Sequence, residues 1–418
     1  MKSVKFCKEG NGYGFMKKRY LIIISSLILG SFCWLNLKID NSTKDIMGVY
    51  IEGEYSTSVP LKDSGYYVEK IECDNNSLGE WNYINWGLLT TNMSKKSKCN
   101  VYFRKDTIVE AIKDELDTTG KCPSVNADGS VNVTSAESEN SLLCSAPDNY
   151  GTSYYYRGNV TNNYVYFANF YWRIVRINGD NSIRIIYDGT TAHENGELSN
   201  DRIIGTSAFN ELTDDNAYVG YMYGTPGSST YEETHANIND STIKKYVDNW
   251  YENNIKDTEY EQYLADNLFC NDRTFAGDNT GNGYAKSITT YNHKYISNKN
   301  IRLSCLQLSD IYTVTSAAGN SNLKYPIGIT SIDEVVTGGG STAVINEKYY
   351  SYVGNYFWTM SAYSFQNNRA YMRYDHNGGG SDSTNDVTAN IGVKPVINLK
   401  QGSLKLGDGT INNPYRTN

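Results

Sequence analysis

A chain of 418 residues has room for two or three domains, and its 37 Tyr, 36 Gly and only 7 Pro favour turn-rich β structure over a helical bundle. Residues 1–39 carry seven Lys or Arg against Glu9 alone, which leaves 31 basic and 45 acidic residues beyond them, a net charge of −14. So acidic a body excludes nucleic acid as a partner, because phosphates require a basic face.

The elements begin with "MKKRYLIIISSLILGSFCWLNLKI". Lys17, Lys18 and Arg19 precede an apolar run from Tyr20 to Leu37, which as a helix spans roughly 27 Å, just enough for a hydrocarbon core. The positive flank predicts a cytoplasmic stub over 1–19, a transmembrane anchor over 20–37, and the rest of the chain outside. A cleaved signal peptide is the rival reading, but no small-x-small site follows the run. "LGSFC" places Phe32 where a lipoprotein needs a small residue before Cys33, and a prepilin reading meets Arg19 where it needs Glu.

Beyond the anchor, six Cys fall into sequence neighbours: Cys73 with Cys99, Cys122 with Cys144, and Cys270 with Cys305. An even number in an exported segment predicts disulfides. Several pairings are open, of which nearest-neighbour pairing is the least demanding. Zinc is the alternative, but there is no CxxC pair or His partner at ligand spacing.

Residues 46–104 predict a small all-β, sandwich-like stalk module, from the strand-like runs "GYYVEKIECD", "WGLLTTNM" and "KCNVYFRK", with Trp81 and Trp86 at or near its core. Residues 105–150 predict a linking helix, with Ile108, Ile112 and Leu116 at helical spacing and Gly120 as a stop, then a Cys-tied loop. The main domain follows over 151–415. Its strongest signal is "NNYVYFANFYWRIVRINGDNSIRIIYDG", two β-rich arms flanking an "NGDN" hairpin turn. "STIKKYVDNWYENNI" predicts a helix with Ile243, Tyr246, Val247, Trp250 and Tyr251 along one face, and "SIDEVVTGGG" a second, with Ser331 and Glu334 at capping-box spacing. The last part is β again, in "FWTMSAYSF", "NRAYMRYD" and "GVKPVINLK".

Together these segments resemble a group of exported proteins of Gram-positive gut bacteria. Their domains are variants of the C-type lectin fold, related to the formylglycine-generating-enzyme fold and to the variable proteins of diversity-generating retroelements. The resemblance covers roughly residues 150–415. It implies an α+β fold: a C-type-lectin-like mixed sheet with two short helices, here preceded by the small all-β module and the N-terminal transmembrane helix. It implies a ligand face built from irregular loops near the C-terminus, at a Gram-positive cell surface. It does not carry an activity across. Formylglycine-generating enzymes use a late Cys pair, and there is no Cys after Cys305. The "EPN", "QPD" and "WND" motifs of calcium-dependent sugar-binding lectins are absent as well.

From Tyr349 to Val393 there is no Lys and no Glu, and Tyr, Ser, Gly, Asn and Asp supply most of the segment. This is the composition of a binding loop, in which Tyr gives broad contact at low entropy cost while Ser, Gly and Asn adapt their hydrogen bonds. It is similar to retroelement-diversified loops, whose randomised adenine codons cannot yield Lys or Glu. Alternation in "RAYMRYDHN" sends Ala370, Met372 and Tyr374 to the core and Tyr371, Arg373 and Asp375 outward. Those three, with Tyr363, Phe365, Asn367, Asn368, His376, Asn377, Asp382 and Asn390, form the expected ligand surface. Asp375, Asp382 and Asp386 could gather a cation such as calcium; no other cofactor is expected.

Catalytic motifs are missing. None of His193, His235, His293 and His376 sits in HExxH, no GxSxG or phosphate-cradling loop occurs, and each His reads as a solvated loop side chain. The expectation is a membrane-anchored, single-pass surface protein, not an enzyme, that recognises an extracellular protein or glycan through its C-terminal loops. The alternatives are a cell-envelope hydrolase or modifying enzyme, and a purely structural envelope protein.

Overall fold

The computed structural model describes residues 47–418, apart from 63, 84, 93–96, 134–139, 278–280, 294–300, 317–318, 341–345 and 376–383. Ile46–Asn418 make one compact unit. The expected fold class needs correction. The chain is mostly β, with 36% of residues in strands and 13% helical, and the described residues form four α-helices, the three expected and a short one at Tyr231–Thr234 that was not. Among the described residues no helix is long and apolar enough to cross a membrane, and the expected anchor at 20–37 lies outside them. The Tyr, Thr, Val and Ile content explains the balance: such side chains are stiff near the backbone and suit a pleated surface better than a helix.

The first module is a four-stranded sheet in the order Glu54–Ser56, Met47–Ile51, Cys99–Lys105, Tyr66–Cys73, with Met47–Ile51 parallel to Cys99–Lys105. A separate hairpin, Leu78–Asn82 with Gly87–Thr91, closes over it. Trp81 is buried from that hairpin and meets Phe103 edge-on at 5.0 Å between ring centroids. Asp106 then caps the linking helix Thr107–Lys113 by accepting from Val109 N at 3.0 Å. Its other oxygen accepts from Gly402 N at 2.6 Å, so one carboxylate starts the helix and holds a segment almost three hundred residues away in sequence. The helix ends at Asp114, well before Gly120, with Val109 and Ile112 buried and Ile108 packed at the edge of the core.

The three disulfides join sequence neighbours: Cys73–Cys99, Cys122–Cys144 and Cys270–Cys305. In the main body, an antiparallel sheet runs in the order Ile327–Ile329, Pro395–Leu399, Ile183–Gly189, Phe170–Ile177, Thr152–Gly158, Ser141–Pro147. The "NGDN" turn forms as expected, with Asn181 at φ 66° and the Asp180 carboxylate accepting from Ser182 N and Oγ. The arm before it differs from expectation, for it is itself a hairpin. Tyr164–Phe167 folds back on Phe170–Ile177 through Ala168 (φ 52°) and Asn169 (φ 64°). Both helices read from the sequence form, as Thr242–Asn254 capped by Ser241 and Ile332–Thr337 with the Ser331–Glu334 capping box.

The second helix is not amphipathic: all six of its residues are buried. Glu334 faces two arginines from the middle of the sheet, with Arg176 Nε at 3.2 Å and Arg184 Nε at 2.5 Å. Arg176 also meets Asp148 at 3.2 Å. Burial alone would raise the Glu334 carboxyl, but Arg184 and Arg176 outweigh it and hold it below the usual carboxylate range. A second cluster gathers Arg173, Asp188, Arg202 and Lys394, all with side chains fully withdrawn from solvent. Arg202 donates to Asp188 from Nε at 3.0 Å and Nη2 at 2.7 Å, while Lys394 stands 3.9 Å from the same oxygen and donates to Ser351 Oγ at 3.1 Å. Three cations thus crowd one carboxylate. Desolvation, with help from Arg202 and Arg173 and opposition from Asp188 and Asp375, pushes the Lys394 ammonium down to about 7.

Two outcomes follow. Glu334→Gln leaves two buried guanidinium groups undercompensated and should lower unfolding free energy by about 3–5 kcal/mol in urea titrations. Between pH 7 and about 10.5 the unfolded chain holds a proton on Lys394 that the folded chain has released, so this group makes stability rise with pH across that window. Lys394→Met should lack that rise; urea midpoints for the two proteins that run parallel at pH 6.5, 8 and 9.5 would contradict the assignment.

Candidate functional site

The C-terminal segment builds a hairpin from Phe357–Gln366 and Arg369–Asp375. Its two-residue turn is Asn367-Asn368, at φ 52° and 60°, the left-handed pair that matches strand twist and that Asn tolerates better than most residues. The base of the hairpin is held from inside. Trp358 Nε1 donates to Ser207 O at 2.8 Å, Met360 N to Thr330 O at 2.9 Å, and Thr359 Oγ1 to Arg373 O at 2.9 Å. Near the tip, Ala370 N donates to Thr213 O at 2.8 Å, and Arg369 pairs with Asp386 at 2.9 Å. Asp386 also accepts from Thr388 N and Oγ1; burial works to raise its carboxyl, but these bonds and Arg369 hold it below the usual range.

The structure divides the expected ligand residues into three groups. Asn367, Asn368 and Asn390 are exposed, while Tyr363 and Tyr371 are half-buried with part of each ring open. Phe365, Arg373 and Asp375 are interior, at 1%, 1% and 0% exposure. His376, Asn377 and Asp382 lie outside the described residues. Ala370 and Met372 occupy the core as alternation requires, but Arg373 and Asp375 do not reach solvent on the other face. That face is covered too. Arg373 lies under the loop at His293, donating from Nε to its carbonyl at 3.0 Å, with its guanidinium 4.9 Å from the Tyr363 ring centroid. Alternation assigns the two faces of a strand; it does not say whether the second face meets water. Tyr374 departs the other way, being only half-buried, with its ring edge-on to the exposed Tyr356 at 5.6 Å. Tyr356 and Arg369 belong to the same exposed margin and were not singled out from the sequence, because neither stands in an alternating pattern that marks it.

No group of three His, Cys, Asp or Glu side chains placed to hold a metal occurs among the described residues. Of the carboxylates considered for calcium, Asp386 pairs across from Tyr371, four residues before Asp375, so the two are about 13 Å apart along the strand. Three of the four histidines are buried rather than solvated. His193 sits between Glu197 at 3.0 Å and Asp201 at 2.8 Å. His235 stacks on Tyr231 at 4.0 Å, and burial pushes its imidazole well below the ordinary His value. His293 Nδ1 lies 3.2 Å from Asp333 Oδ2, beside a cavity of about 20 Å3 also lined by Asp272, Glu334 and Arg302. That volume holds about one water rather than a substrate. Asp333 is further engaged by Arg302 N at 2.9 Å, so these groups serve one another.

The placement is checked by stability. Phe365→Ala should cost about 3–5 kcal/mol, the range for emptying a buried aromatic site, whereas Tyr371→Ala should change the melting temperature little. Equal losses in thermal scans of the two variants would contradict it. Comparison of the chain with protein-family models, curated proteins and solved structures yields no match.

Proposed function

We propose that this chain is an extracellular recognition protein of a Gram-positive cell surface, which binds a protein or glycan non-covalently through the tip and open face of the hairpin Phe357–Asp375 and the adjoining turn at Asn390. The observation that carries this reading is the contrast between frame and margin. The strands are tied from inside by Trp358, Thr359 and Met360, while Asn367, Asn368, Tyr371, Tyr363 and Asn390 are offered to solvent. A rigid support beneath adaptable amides and open aromatic rings lowers the ordering cost of binding, since the contact groups lose little freedom on association. With no Lys or Glu from Tyr349 to Val393, the long exposed charge among the described residues there is Arg369, and Asp386 holds it at 2.9 Å, so little of that cost is added. The three disulfides suit the oxidising exterior of a cell, and the resemblance to retroelement-diversified domains supports the same placement.

The test uses glycan and protein arrays probed with the oxidised full-length chain and with a triple variant, Asn367→Gly/Asn368→Gly/Tyr371→Ala. Glycine keeps the left-handed turn, so the frame is retained while the amides and the ring are removed. Binding partners of the natural chain should be lost or weakened roughly tenfold or more in the variant, at an unchanged melting temperature. Partners that bind both proteins equally, or no partner at all, would sink the proposal.

A further inference from the structure

Away from the hairpin surface lies a cleft of about 540 Å3, within the size range of small-ligand sites. Tyr166 and Tyr171 stand directly opposite each other on paired strands, their ring centroids 5.1 Å apart at 62°. Tyr260 contributes a third ring, braced edge-on against Phe167 at 5.3 Å. Backbone bonds from Tyr166 N to Tyr415 O and from Tyr415 N to Tyr164 O, both 2.9 Å, zip the strand to the segment that carries Arg416 into the lining. Thr190 and Thr191 form the remaining wall. Asp201 fixes it, accepting from Thr190 N and Oγ1 at 3.0 and 2.9 Å, and is itself held by His193 at 2.8 Å.

The wall is therefore ordered without help from a ligand, yet its functional groups are not used up. Among the described residues, the hydroxyls of Tyr166, Tyr171 and Tyr260 and the guanidinium of Arg416 take part in no hydrogen bond or ion pair. All four side chains are half-buried, so each ring shows part of its surface to the cleft. A pyranose ring has matching chemistry: its C–H face lies against aromatic surface, and its hydroxyls pair with fixed donors and acceptors around the rim. An aliphatic peptide side chain would need an aliphatic recess, and the aliphatic side chains in the lining are only those of Ala168 and Ala192. We propose that this cleft is a second binding site, separate from the hairpin surface, and that its ligand is a glycan, gripped by Tyr166, Tyr171 and Tyr260 and oriented by Arg416.

The test is saturation-transfer NMR and calorimetry on the oxidised full-length chain with cellohexaose, chitohexaose, laminarihexaose and tri-galacturonic acid. The first three probe neutral pyranoses, and the last adds carboxylates for Arg416. At least one should bind. Arg416→Gln and Tyr260→Leu should each weaken that binding roughly tenfold, with Arg416→Gln unchanged in melting temperature because its side chain holds nothing in the fold. The hairpin triple variant should bind the same oligosaccharide as the natural chain does. No saturation transfer from any of the four at about 10 mM, a range that captures even weak sites, would overturn the proposal. So would binding that both cleft variants retain. Binding lost in the hairpin variant instead would also overturn it, while leaving the hairpin reading intact.

Discussion

Everything in the main body rests on the way it accommodates arginine inside a sheet. Arg173, Arg176 and Arg184 occupy strand positions that solvent does not reach. A guanidinium cannot shed its charge, so each must be given an acid or a set of carbonyls in exact reach. Arg173 takes Asn163 Oδ1 and Val160 O and lies over the Tyr164 ring; Arg176 and Arg184 share Glu334. These demands fix where the short helix Ile332–Thr337 must dock and which side it turns inward. Lys394 is the one cation in the second cluster able to give up its proton, and it bears the crowding.

The hairpin surface depends on that arrangement at one remove. The helix carrying Glu334 follows Thr330, whose carbonyl receives Met360 N, and Ile332 N donates to Ser361 Oγ at 3.0 Å. The strand that leads to Asn367 and Asn368 is thus registered against the same element that neutralises the buried arginines. Precision at the margin is inherited from electrostatics in the interior.

Much of the local structure was legible because it follows short-range rules. Ser331 announces a helix start through a side chain that satisfies an orphan N–H group, as the capping-box spacing indicated, and Ser241 and Asp106 cap their helices by the same short-range rule. The Asn-Gly-Asp-Asn turn is equally local. The turn at Ala168-Asn169 escaped notice because Ala in a left-handed conformation is rare and leaves no compositional trace. The burial of Arg373, Asp375 and the three histidines was not legible for a different reason. It depends on segments brought together from far along the chain, as when residue 293 covers residue 373. The short helix Tyr231–Thr234 was missed in the same way, since a β-rich body can carry short helices that only tertiary packing supports. Of the candidate site, Asn367, Asn368, Tyr363, Tyr371 and Asn390 were readable from composition, while the cleft formed by Tyr166, Tyr260 and Arg416 joins segments that no linear reading sets side by side.

The strand Pro395–Leu399 lies inside the large sheet, between Ile183–Gly189 and Ile327–Ile329. A ribosome delivering this chain therefore releases a sheet with a gap in it, and the gap is filled only when residue 399 has emerged. Until then the strand Ile183–Gly189 lacks one of its two neighbours in the sheet. The large sheet is thus completed by pairing between segments far apart in sequence, and its closure waits on Pro395–Leu399 finding both Ile183–Gly189 and Ile327–Ile329.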